Sequence, residues 1–379
     1  MAIATQAFRY HSGWCTKLGG ELLEVSNAPA DEFHCYARRE PVGVAALIVP
    51  WNGALAMAAW KLAPALAAGC STIVKPPEQA SLSVLRFGEL LVESGVPPGV
   101  VNIVTGPGRV VGEALVAHNG VDKVSFTGST DTGRRLLQAA VGNFKKLTLE
   151  LGGKSPAIVF ADADLDAAAR GIAAGIFSNA GQVCVASSRL LVHVSVRDAL
   201  LEHITRIARG LRLGPGLDSE TQLGPLISEE HRARVAGLVK ASVASGAEVV
   251  TGGRSPPGAG FFYEPTVLAN VGAATPAVRD EIFGPVLCAQ TFTEAEEAVA
   301  LANATPFGLA GSVWTRDLRT AHRVAAEIRA GLVWINTHGR PDVAVPFGGY
   351  KQSGWGREQG RAAVESYTEL KSVMAYLGD

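Results

Sequence analysis

The sequence predicts an α/β fold made of two successive units, each of which alternates strands with helices. From Pro41 onward, short β-branched runs alternate with Ala- and Leu-rich stretches of helical length. The short runs are nearly all apolar, which is typical of parallel strands with helices on both faces. A chain of 379 residues is also too long for one small core, so two units are expected.

The first unit is predicted to contain five strands and four helices. The strands are Val42–Val49, Ser71–Lys75, Val100–Thr105, Lys123–Thr127 and Leu147–Leu151. The helices are Gly53–Ala68, Ser81–Ser94, Arg109–His118 and Asp131–Ala140. Gly69 and Gly95 follow two of these helices directly, as glycine does at helix ends. Strands that alternate with helices in this way predict one parallel sheet.

A second set of alternating elements follows Gly153. Its strands are Ala157–Phe160, Arg189–Val194, Val286–Phe292, Ala310–Trp314 and Gly331–Asn336. Its helices include Ala163–Asn179, Val196–Arg209, Glu229–Ser245, Glu294–Asn303 and Leu318–Arg329. Two segments fit neither unit: Glu21–Glu40 alternates as a hairpin does, and Tyr367–Leu377 is predicted to be a lone C-terminal strand. Unpaired edges of this kind are often closed by another subunit, so we expect a homodimer or a homotetramer.

Composition argues against several classes of partner. The 34 Lys and Arg nearly balance the 35 Asp and Glu, which does not favour nucleic acid or an anionic membrane surface. The most apolar stretch, Ala54–Gly69, contains Lys61 and Pro64 and is shorter than a bilayer span, which predicts a buried helix. Met1–Tyr10 lacks the pattern of a signal peptide. We therefore expect a cytoplasmic protein with no nucleic-acid or membrane partner.

The cysteines and histidines give no sign of a disulfide framework or of a metal site. Five cysteines, at positions 15, 35, 70, 184 and 288, are an odd number and include no CxxC pair. The eight histidines form no pair at a spacing typical of metal ligands. These patterns favour a reducing compartment and a protein without a metal ion.

Three polar residues are candidates for catalysis, although each has a simpler interpretation. Cys184 lies in a Gly-containing turn and is either a nucleophile or, as isolated cysteines more often are, a structural thiol. Glu150 follows a strand and precedes two glycines, so it is either a catalytic carboxylate or a solvated loop acid. Asn52 either donates from its amide to a developing oxyanion or caps the helix that follows.

A second group of residues favours a nucleotide site. The run Phe126–Gly133 follows a strand and enters a helix, so Gly128 allows a close approach of phosphate to the helix N-terminus. The run is neither the GxGxxG fingerprint nor a P-loop, and alone it is a weak signal. Lys75 and Glu78 end the second strand and either bind ribose hydroxyls or form an exposed pair.

Taken together, these runs resemble the aldehyde dehydrogenase superfamily. The resemblance extends from about Phe8 to the C-terminus, in the family's order and nearly without gaps. The matching runs are Pro50-Trp-Asn52, Lys75-Pro-Pro-Glu78, Phe126-Thr-Gly-Ser129, Glu150-Leu-Gly-Gly-Lys-Ser-Pro156, Gly181-Gln-Val-Cys184, Glu281-Ile-Phe-Gly-Pro285 and Pro346-Phe-Gly-Gly-Tyr-Lys-Gln-Ser-Gly354. Seven such runs in order are not expected by chance.

The resemblance implies oxidation of an aldehyde to a carboxylic acid. Cys184 then matches the nucleophile, Asn52 and the backbone N–H of Cys184 match the oxyanion hole, and Glu150 matches the base that activates water to hydrolyse a thioester. Lys61 and Glu358 match polar positions that the family uses near the proton transfers of this reaction. In the CoA-acylating branch of the family the hydrolytic Glu is typically absent, so Glu150 argues for hydrolysis.

The resemblance also implies NAD as cofactor. Lys75 and Glu78 match contacts to the adenosine ribose, and Glu281 and Phe283 match contacts to the nicotinamide ribose and ring. The matching phosphate region consists of Gly128, Ser129 and Gly133, and further cofactor positions are Ile48, Pro50, Trp51, Gly108, Leu151 and Gly152. We expect NAD rather than NADP, because the charge of Glu78 repels a 2′-phosphate.

Domain organisation follows from the same resemblance. We expect a remnant helix of a Rossmann-like cofactor domain at 1–20, an oligomerisation hairpin at 21–41, the NAD-binding domain at 42–152, a second α/β catalytic domain at 153–352, and a C-terminal return with an oligomerisation strand at 353–379. The family carries a further helical segment and strands upstream of what is here Phe8. We therefore expect one flank of the first sheet to expose apolar surface, and a catalytically silent form is the alternative to an enzyme.

The substrate tunnel is expected to be wide and apolar. Gly53, Met57 and Trp60 recur at i, i+4 and i+7 and so share one helix face. Gly53, Ser178 and Pro341 replace residues that are often bulky in relatives, and Phe347 is the remaining tunnel position. The predicted substrates are aromatic or long-chain aldehydes.

Overall fold

The computed structural model describes residues 1–27, 29 and 31–378. Positions 28 and 30 of the predicted hairpin and position 379 of the C-terminal segment lie outside the described residues. The chain folds into two compact units. Unit 1 comprises Met1–Glu150, Pro341–Phe347 and Trp355–Asp379, and unit 2 comprises Leu151–Arg340 and Gly348–Gly354. The N-terminal helix, the hairpin segment and the C-terminal strand thus all belong to unit 1.

The N-terminal part of unit 1 contains a parallel sheet. Its elements are α1 (Ala2–Ser12), β1 (Glu21–Leu23), β2 (Phe33–Pro41), β3 (Val44–Ile48), α2 (Ala54–Ala67), β4 (Ser71–Lys75), α3 (Leu82–Glu93), β5 (Val101–Ile103), α4 (Glu113–Ala117), β6 (Lys123–Thr127), α5 (Thr130–Ala139) and β7 (Lys146–Glu150). Strands β7, β6, β3, β4 and β5 lie side by side in that order and are all parallel. The five predicted strands and four predicted helices are confirmed.

Unit 2 contains a larger sheet. Its elements are β8 (Pro156–Val159), α6 (Leu165–Phe177), β9 (Arg189–His193), α7 (Arg197–Gly210), α8 (Glu229–Ala244), β10 (Glu248–Thr251), β11 (Thr266–Ala269), α9 (Pro276–Arg279), β12 (Val286–Phe292), α10 (Ala295–Asn303), β13 (Phe307–Gly308), β14 (Ala310–Trp314), α11 (Leu318–Glu327), β15 (Leu332–Ile335) and β16 (Tyr350–Lys351). The sheet order is β10-β11-β12-β9-β8-β14-β15, and only β10 runs antiparallel to its neighbour.

The chain then returns to unit 1. The return contains β17 (Gly354–Trp355), α12 (Gly360–Ser366) and β18 (Thr368–Tyr376). All nine residues of β18 pair antiparallel with β2, and β1 pairs with the other edge of β2. The prediction of a lone C-terminal strand is therefore wrong, because the strand has a partner in its own chain.

Unit 1 carries an open apolar groove. A cavity of about 730 Å³ lies among α1, α2 and α3, and its lining includes Phe8, Leu55, Leu66, Phe87 and Leu90. Exposed apolar surface was expected on this unit. Among the described residues, no helix combines the length and the apolarity that crossing a bilayer requires.

Candidate active site

The strand register in unit 1 brings four of the predicted motifs to one edge of the sheet. Ile48, the last residue of β3, is the partner of Lys75 on β4 and of Phe126 on β6. Thr127 is in turn the partner of Glu150 on β7. Since the carboxyl ends of these strands are level, the segments that follow them leave the sheet at the same edge, where α/β folds place ligands.

Asn52 lies just beyond the end of β3. Trp51–Gly53 forms a single 3₁₀ turn, and Asn52 is half-buried within it. The N-cap position of α2 is Gly53. Both interpretations of Asn52, as a helix cap and as part of an oxyanion hole, stay predictions.

Glu150 is a buried carboxyl group at the end of β7. It is 3% exposed, and neither of its oxygens has a hydrogen-bond partner among the described residues. Burial raises the pKa of Glu150 well above its usual range, and the Glu358 carboxylate raises it further, against the smaller effects of Lys61 and Arg357. The solvated-loop interpretation is wrong. A carboxylate with a raised pKa is a stronger base, and with neither oxygen bonded among the described residues Glu150 is suited to accept a proton from water.

Lys61 and Glu358 form a buried network with Ser125. Lys61 donates from Nζ to Glu358 Oε1 and, over 3.0 Å, to Ser125 Oγ. Ser125 Oγ donates to the same Glu358 oxygen over 2.9 Å. The Lys61 side chain is 0% exposed and that of Glu358 is 5% exposed. Ser125 was not among the predicted site residues, and the available signal was a hydroxyl at the centre of the strand β6.

The predicted adenosine contacts occupy different environments. Lys75 is buried and donates from Nζ to the Pro76 carbonyl over 2.9 Å, and burial lowers its pKa. Glu78 is exposed, and its Oε1 accepts a hydrogen bond from the backbone N–H of Gly108 over 3.0 Å. Lys75 and Glu78 are thus not an exposed pair, and Glu78 presents a carboxylate at the sheet edge.

The predicted phosphate region is the N-terminus of α5. Ser129 is the N-cap and accepts a hydrogen bond from the Thr132 N–H over 3.3 Å. Gly128 has no room for a side chain, because a Cβ would collide with the Phe126 ring. Gly133 is buried in the first turns of the same helix. A bare backbone before a ten-residue helix fits a pyrophosphate, since helix N-termini attract anions.

In unit 2, Cys184 lies in a strained turn after α6. Asn179, Ala180 and Gly181 have φ values of +50°, +54° and +71°, which are costly for the first two residues. Cys184 is half-buried. A Cβ on Gly181 would collide with the carbonyl of Gly284, and a Cβ on Gly153 would collide with the carbonyl of Cys184. Three of the predicted motifs therefore meet at this turn.

Glu281 and Phe283 flank the same region of unit 2. Glu281 Oε1 accepts a hydrogen bond from the Gly153 N–H over 2.9 Å, and a Cβ on Gly152 would collide with the Glu281 carboxylate. The carbonyl of Phe283, whose φ is +59°, accepts from His231 Nε2 over 2.7 Å. The Leu151 N–H donates to the Ser353 carbonyl over 2.9 Å. These contacts fix the backbone of several predicted cofactor residues.

The predicted tunnel positions differ in exposure. A Cβ on Gly53 would lie 3.7 Å from Met57, and the rings of Trp60 and Phe347 are 5.5 Å apart and nearly perpendicular. Pro341 is exposed. In unit 2, Ser178 is also exposed and donates to the Ala174 carbonyl over 2.6 Å.

Two buried residues of unit 2, Lys154 and His338, were not among the predicted site residues. Lys154 is 1% exposed, its Nζ has no hydrogen-bond partner among the described residues, and burial lowers its pKa to about 8. His338 bridges the Ser312 hydroxyl and the Val185 carbonyl.

All five cysteines lie in the described part of the chain, and none is in a disulfide. Across residues 1–27, 29 and 31–378, no cluster of three or more His, Cys, Asp or Glu is arranged to hold a metal ion.

Comparison with known proteins identifies the family. The family model described as "Aldehyde dehydrogenase family" matches residues 1–373. Phenylacetaldehyde dehydrogenase of Pseudomonas fluorescens is 46% identical over 378 residues, which is 98% of this chain and 75% of that protein. Betaine aldehyde dehydrogenase of Bacillus subtilis (strain 168) is 46% identical over 370 residues, with 97% and 75% covered.

A solved structure agrees with these relatives. The crystal structure of an NAD-dependent aldehyde dehydrogenase from Sinorhizobium meliloti superposes with a TM-score of 0.97 at 44% identity, and covers 100% of this chain and 74% of that one. The sequence, the family model and the fold agree, and the chain belongs to the aldehyde dehydrogenase family.

Proposed function

We propose that Cys184 is the nucleophile and Glu150 the hydrolytic base of this chain. As a member of its family it is an NAD-dependent enzyme that oxidises an aldehyde to a carboxylic acid. The observation that supports the assignment most directly is the buried Glu150 carboxyl, whose oxygens have no hydrogen-bond partner among the described residues. A buried acid without a hydrogen-bond partner lowers the stability of the folded protein. Buried groups with strongly shifted pKa values cluster at functional sites, which supports a catalytic role for Glu150.

In the first half-reaction the Cys184 thiolate adds to the carbonyl carbon. A C–S bond forms, and the π electrons of the carbonyl move to its oxygen, giving a thiohemiacetal anion. The amide of Asn52 and the backbone N–H of Cys184 donate to this oxyanion. Bound NAD supplies the acceptor for the hydride that leaves the carbon, and a thioester on Cys184 remains.

In the second half-reaction Glu150 takes a proton from water while the water oxygen attacks the thioester. The C–S bond then breaks, the acid departs and Cys184 regains its thiolate. The Lys61–Glu358–Ser125 network fixes the charges that act on Glu150. Transfer of the thioester to CoA needs no hydrolytic carboxylate, and Glu150 argues for water as the acceptor.

Each unit, taken by itself, contains residues that are proposed to bind NAD. In unit 1 the exposed Glu78 carboxylate binds ribose hydroxyls and the α5 N-terminus, with Gly128 and Ser129, receives the pyrophosphate. In unit 2 Glu281 and Phe283 contact the ribose and the ring of the nicotinamide half of NAD. The charge of Glu78 favours NAD over NADP.

Aromatic or long-chain aldehydes are the proposed substrates. Gly53, Met57 and Trp60 lie on one face of the start of α2, and Gly53 adds no bulk. One relative at 46% identity is a phenylacetaldehyde dehydrogenase and another at 46% is a betaine aldehyde dehydrogenase, so the proposal of an aromatic substrate rests on the small residues of the tunnel and not on identity. A panel of aldehydes with NAD, read by NADH absorbance on this chain and on Cys184→Ala, tests the proposed function. Equal NADH formation by the two proteins would refute it.

A homo-oligomer in the cytoplasm is the proposed state. Strand β18 is an edge of its sheet, so one side of its backbone is available to a further strand, and Leu370, Met374 and Tyr376 on it are exposed. Five cysteines that form no disulfide among the described residues fit a reducing compartment.

A further inference from the structure

The segment that follows the nucleophile is held by a hydrogen-bonded chain inside unit 2. The Trp314 indole N–H donates to Ser312 Oγ over 3.2 Å, and Ser312 Oγ lies 3.0 Å from His338 Nδ1. On the other side of the ring, His338 Nε2 lies 2.7 Å from the carbonyl oxygen of Val185, the residue after Cys184. Ser312 is 0% exposed and His338 is 7% exposed.

The two ends of this chain determine its direction. An indole N–H can only donate and a carbonyl can only accept. Ser312 therefore accepts from Trp314, and His338 donates from Nε2 to the Val185 carbonyl. In a neutral ring Nδ1 then carries no hydrogen and accepts the one that Ser312 donates. This arrangement requires a neutral imidazole, and burial, which lowers the pKa of His338 to about 4, keeps it neutral.

Packing leaves the ring little freedom to move. A Cβ on Gly175 of α6 would come within 2.7 Å of the His338 ring. Trp334 lies on another side, with the two ring centroids 4.8 Å apart. The His338 ring is thus held between the helix that leads into the Cys184 turn and the strand β14.

We infer that His338 is a positioning residue for Cys184, acting through the Val185 carbonyl to hold the thiol and the N–H of Cys184 in their reactive placement. The inference rests on the proposed role of Cys184 as nucleophile. The upstream residues Asn179 and Ala180 have costly φ values, so the turn needs such an external restraint. A displacement of about 1 Å in a reacting group costs roughly 100-fold in rate.

The test compares four variants by two measurements. These are the rate at which iodoacetamide alkylates Cys184, followed by peptide mapping, and the rate of the first-turnover NADH burst. His338→Leu should slow both by roughly 10- to 100-fold. His338→Gln, whose amide can accept from Ser312 and donate to Val185, should restore most of the loss. Ser312→Ala, which keeps the imidazole but frees its tautomer, should lie between.

Val313→Ala is the matched control. Val313 is fully buried on the adjacent position of β14 and faces the other side of the sheet, so its truncation destabilises unit 2 without touching the chain of hydrogen bonds. It should lower the melting temperature and leave both rates as they are. Rates for His338→Leu that equal those of Val313→Ala would overturn the inference. If His338→Leu does not fold, an unchanged alkylation rate in Ser312→Ala overturns it instead.

The same experiment separates this inference from the proposed function. If alkylation of Cys184 in the unsubstituted protein leaves the NADH burst intact, Cys184 is not the nucleophile. If alkylation abolishes the burst but proceeds equally fast in His338→Leu, only the role of His338 fails.

Discussion

Lys61 and Glu358 are 297 positions apart in the sequence, yet their side chains form an ion pair that is almost completely buried. The pair joins α2 to the segment that returns from unit 2, and Ser125 of β6 bonds to both partners. Glu358 is also the nearby charge that most raises the pKa of Glu150. One pair thus contributes to the stability of unit 1 and to the acidity of the proposed base.

Glu358→Gln should therefore change both stability and pH dependence. Removing one partner leaves Lys61 buried and unpaired, which costs roughly 3–5 kcal/mol. Without the Glu358 charge the pKa of Glu150 falls, because the charges of Lys61 and Arg357, which both lower it, are then unopposed by a neighbouring carboxylate. A base works when deprotonated, so the acid limb of the pH–kcat profile should move to lower pH.

Urea unfolding and steady-state rates across the pH range measure these effects. Glu365→Gln is the control, because Glu365 forms ion pairs with the partly exposed Arg39 and Arg361, and such pairs are worth about 0–1 kcal/mol. If the acid limb of the pH–kcat profile does not move in Glu358→Gln, the charge of Glu358 does not raise the pKa of the catalytic base.

Gly153→Ala should impair the Cys184 turn. A Cβ at this position collides with the Cys184 carbonyl and crowds Leu309, and overpacking of this kind costs roughly 1–3 kcal/mol. The turn must shift, so the NADH burst should slow as well. Gly237→Ala on α8 is the control: nothing lies within 4 Å of its Cβ, and alanine should stabilise the helix by roughly 0.5–1 kcal/mol. A wild-type burst in Gly153→Ala would show that the turn tolerates the shift.

Steric contacts such as that between Gly153 and the Cys184 carbonyl could not be predicted from the sequence, whereas most of the secondary structure could. Hydrophobic periodicity identified the strands and helices that form the sheet edge, and a motif at the end of a parallel strand is automatically brought beside its neighbours. The strand Glu248–Thr251 was not predicted, because it is a short edge strand with no fully buried residue and so lacks a periodic signal. Thr266–Ala269 was not predicted either, although it is as long and as buried as β8, which was.

Pairings between distant segments were harder to predict. The pattern of Tyr367–Leu377 indicated a strand but not its partner, which lies more than 300 residues earlier in β2. Ser125 and His338 were missed for the same reason, since each is an ordinary polar residue until Glu358 or Val185 is placed beside it. The raised pKa of Glu150 likewise depends on burial, which no local pattern reveals.

The preference for NAD over NADP should depend on Glu78. Its exposed carboxylate accepts from Gly108 and would face a 2′-phosphate with like charge. Glu78→Gln keeps an acceptor for Gly108 but removes the charge, so the ratio of kcat/KM for NAD to that for NADP should fall by roughly fivefold. Glu89→Gln, at an exposed position on α3 that pairs with Arg86, should leave the ratio unchanged. A kcat/KM that favours NADP in the unsubstituted protein would contradict the assignment.

The missing side chain at Gly53 should allow long substrates to bind. Each methylene buried in an apolar tunnel adds about 0.8 kcal/mol, or roughly fourfold in kcat/KM, so octanal and phenylacetaldehyde should outperform acetaldehyde. Gly53→Leu leaves room for the new Cβ, which meets Met57 at an ordinary 3.7 Å. It should reduce kcat/KM for octanal far more than for acetaldehyde. If acetaldehyde is the best substrate of the unsubstituted protein, the tunnel is narrow and the proposal is wrong.

The separate roles of Cys184 as nucleophile and Glu150 as hydrolytic base give the most specific prediction. Cys184→Ala should abolish NADH formation, because no covalent adduct forms. Cys184→Ser should do nearly as much, because an unactivated hydroxyl at neutral pH is a poor nucleophile. Glu150→Gln removes only the base for hydrolysis, so turnover should fall by roughly 10²–10⁴.

Acylation and hydride transfer need no water, so Glu150→Gln should still release one equivalent of NADH per active site in a fast burst. The enzyme then stalls as a thioester, which intact-protein mass spectrometry detects as an acyl adduct on Cys184. The alternative, in which Glu150 deprotonates the thiol, predicts that the burst slows as much as turnover does. Rapid mixing distinguishes the two, since a burst that vanishes in Glu150→Gln excludes a purely hydrolytic role. Such a role also predicts that turnover of the unsubstituted protein rises with pH through the raised pKa of Glu150, whereas its burst does not.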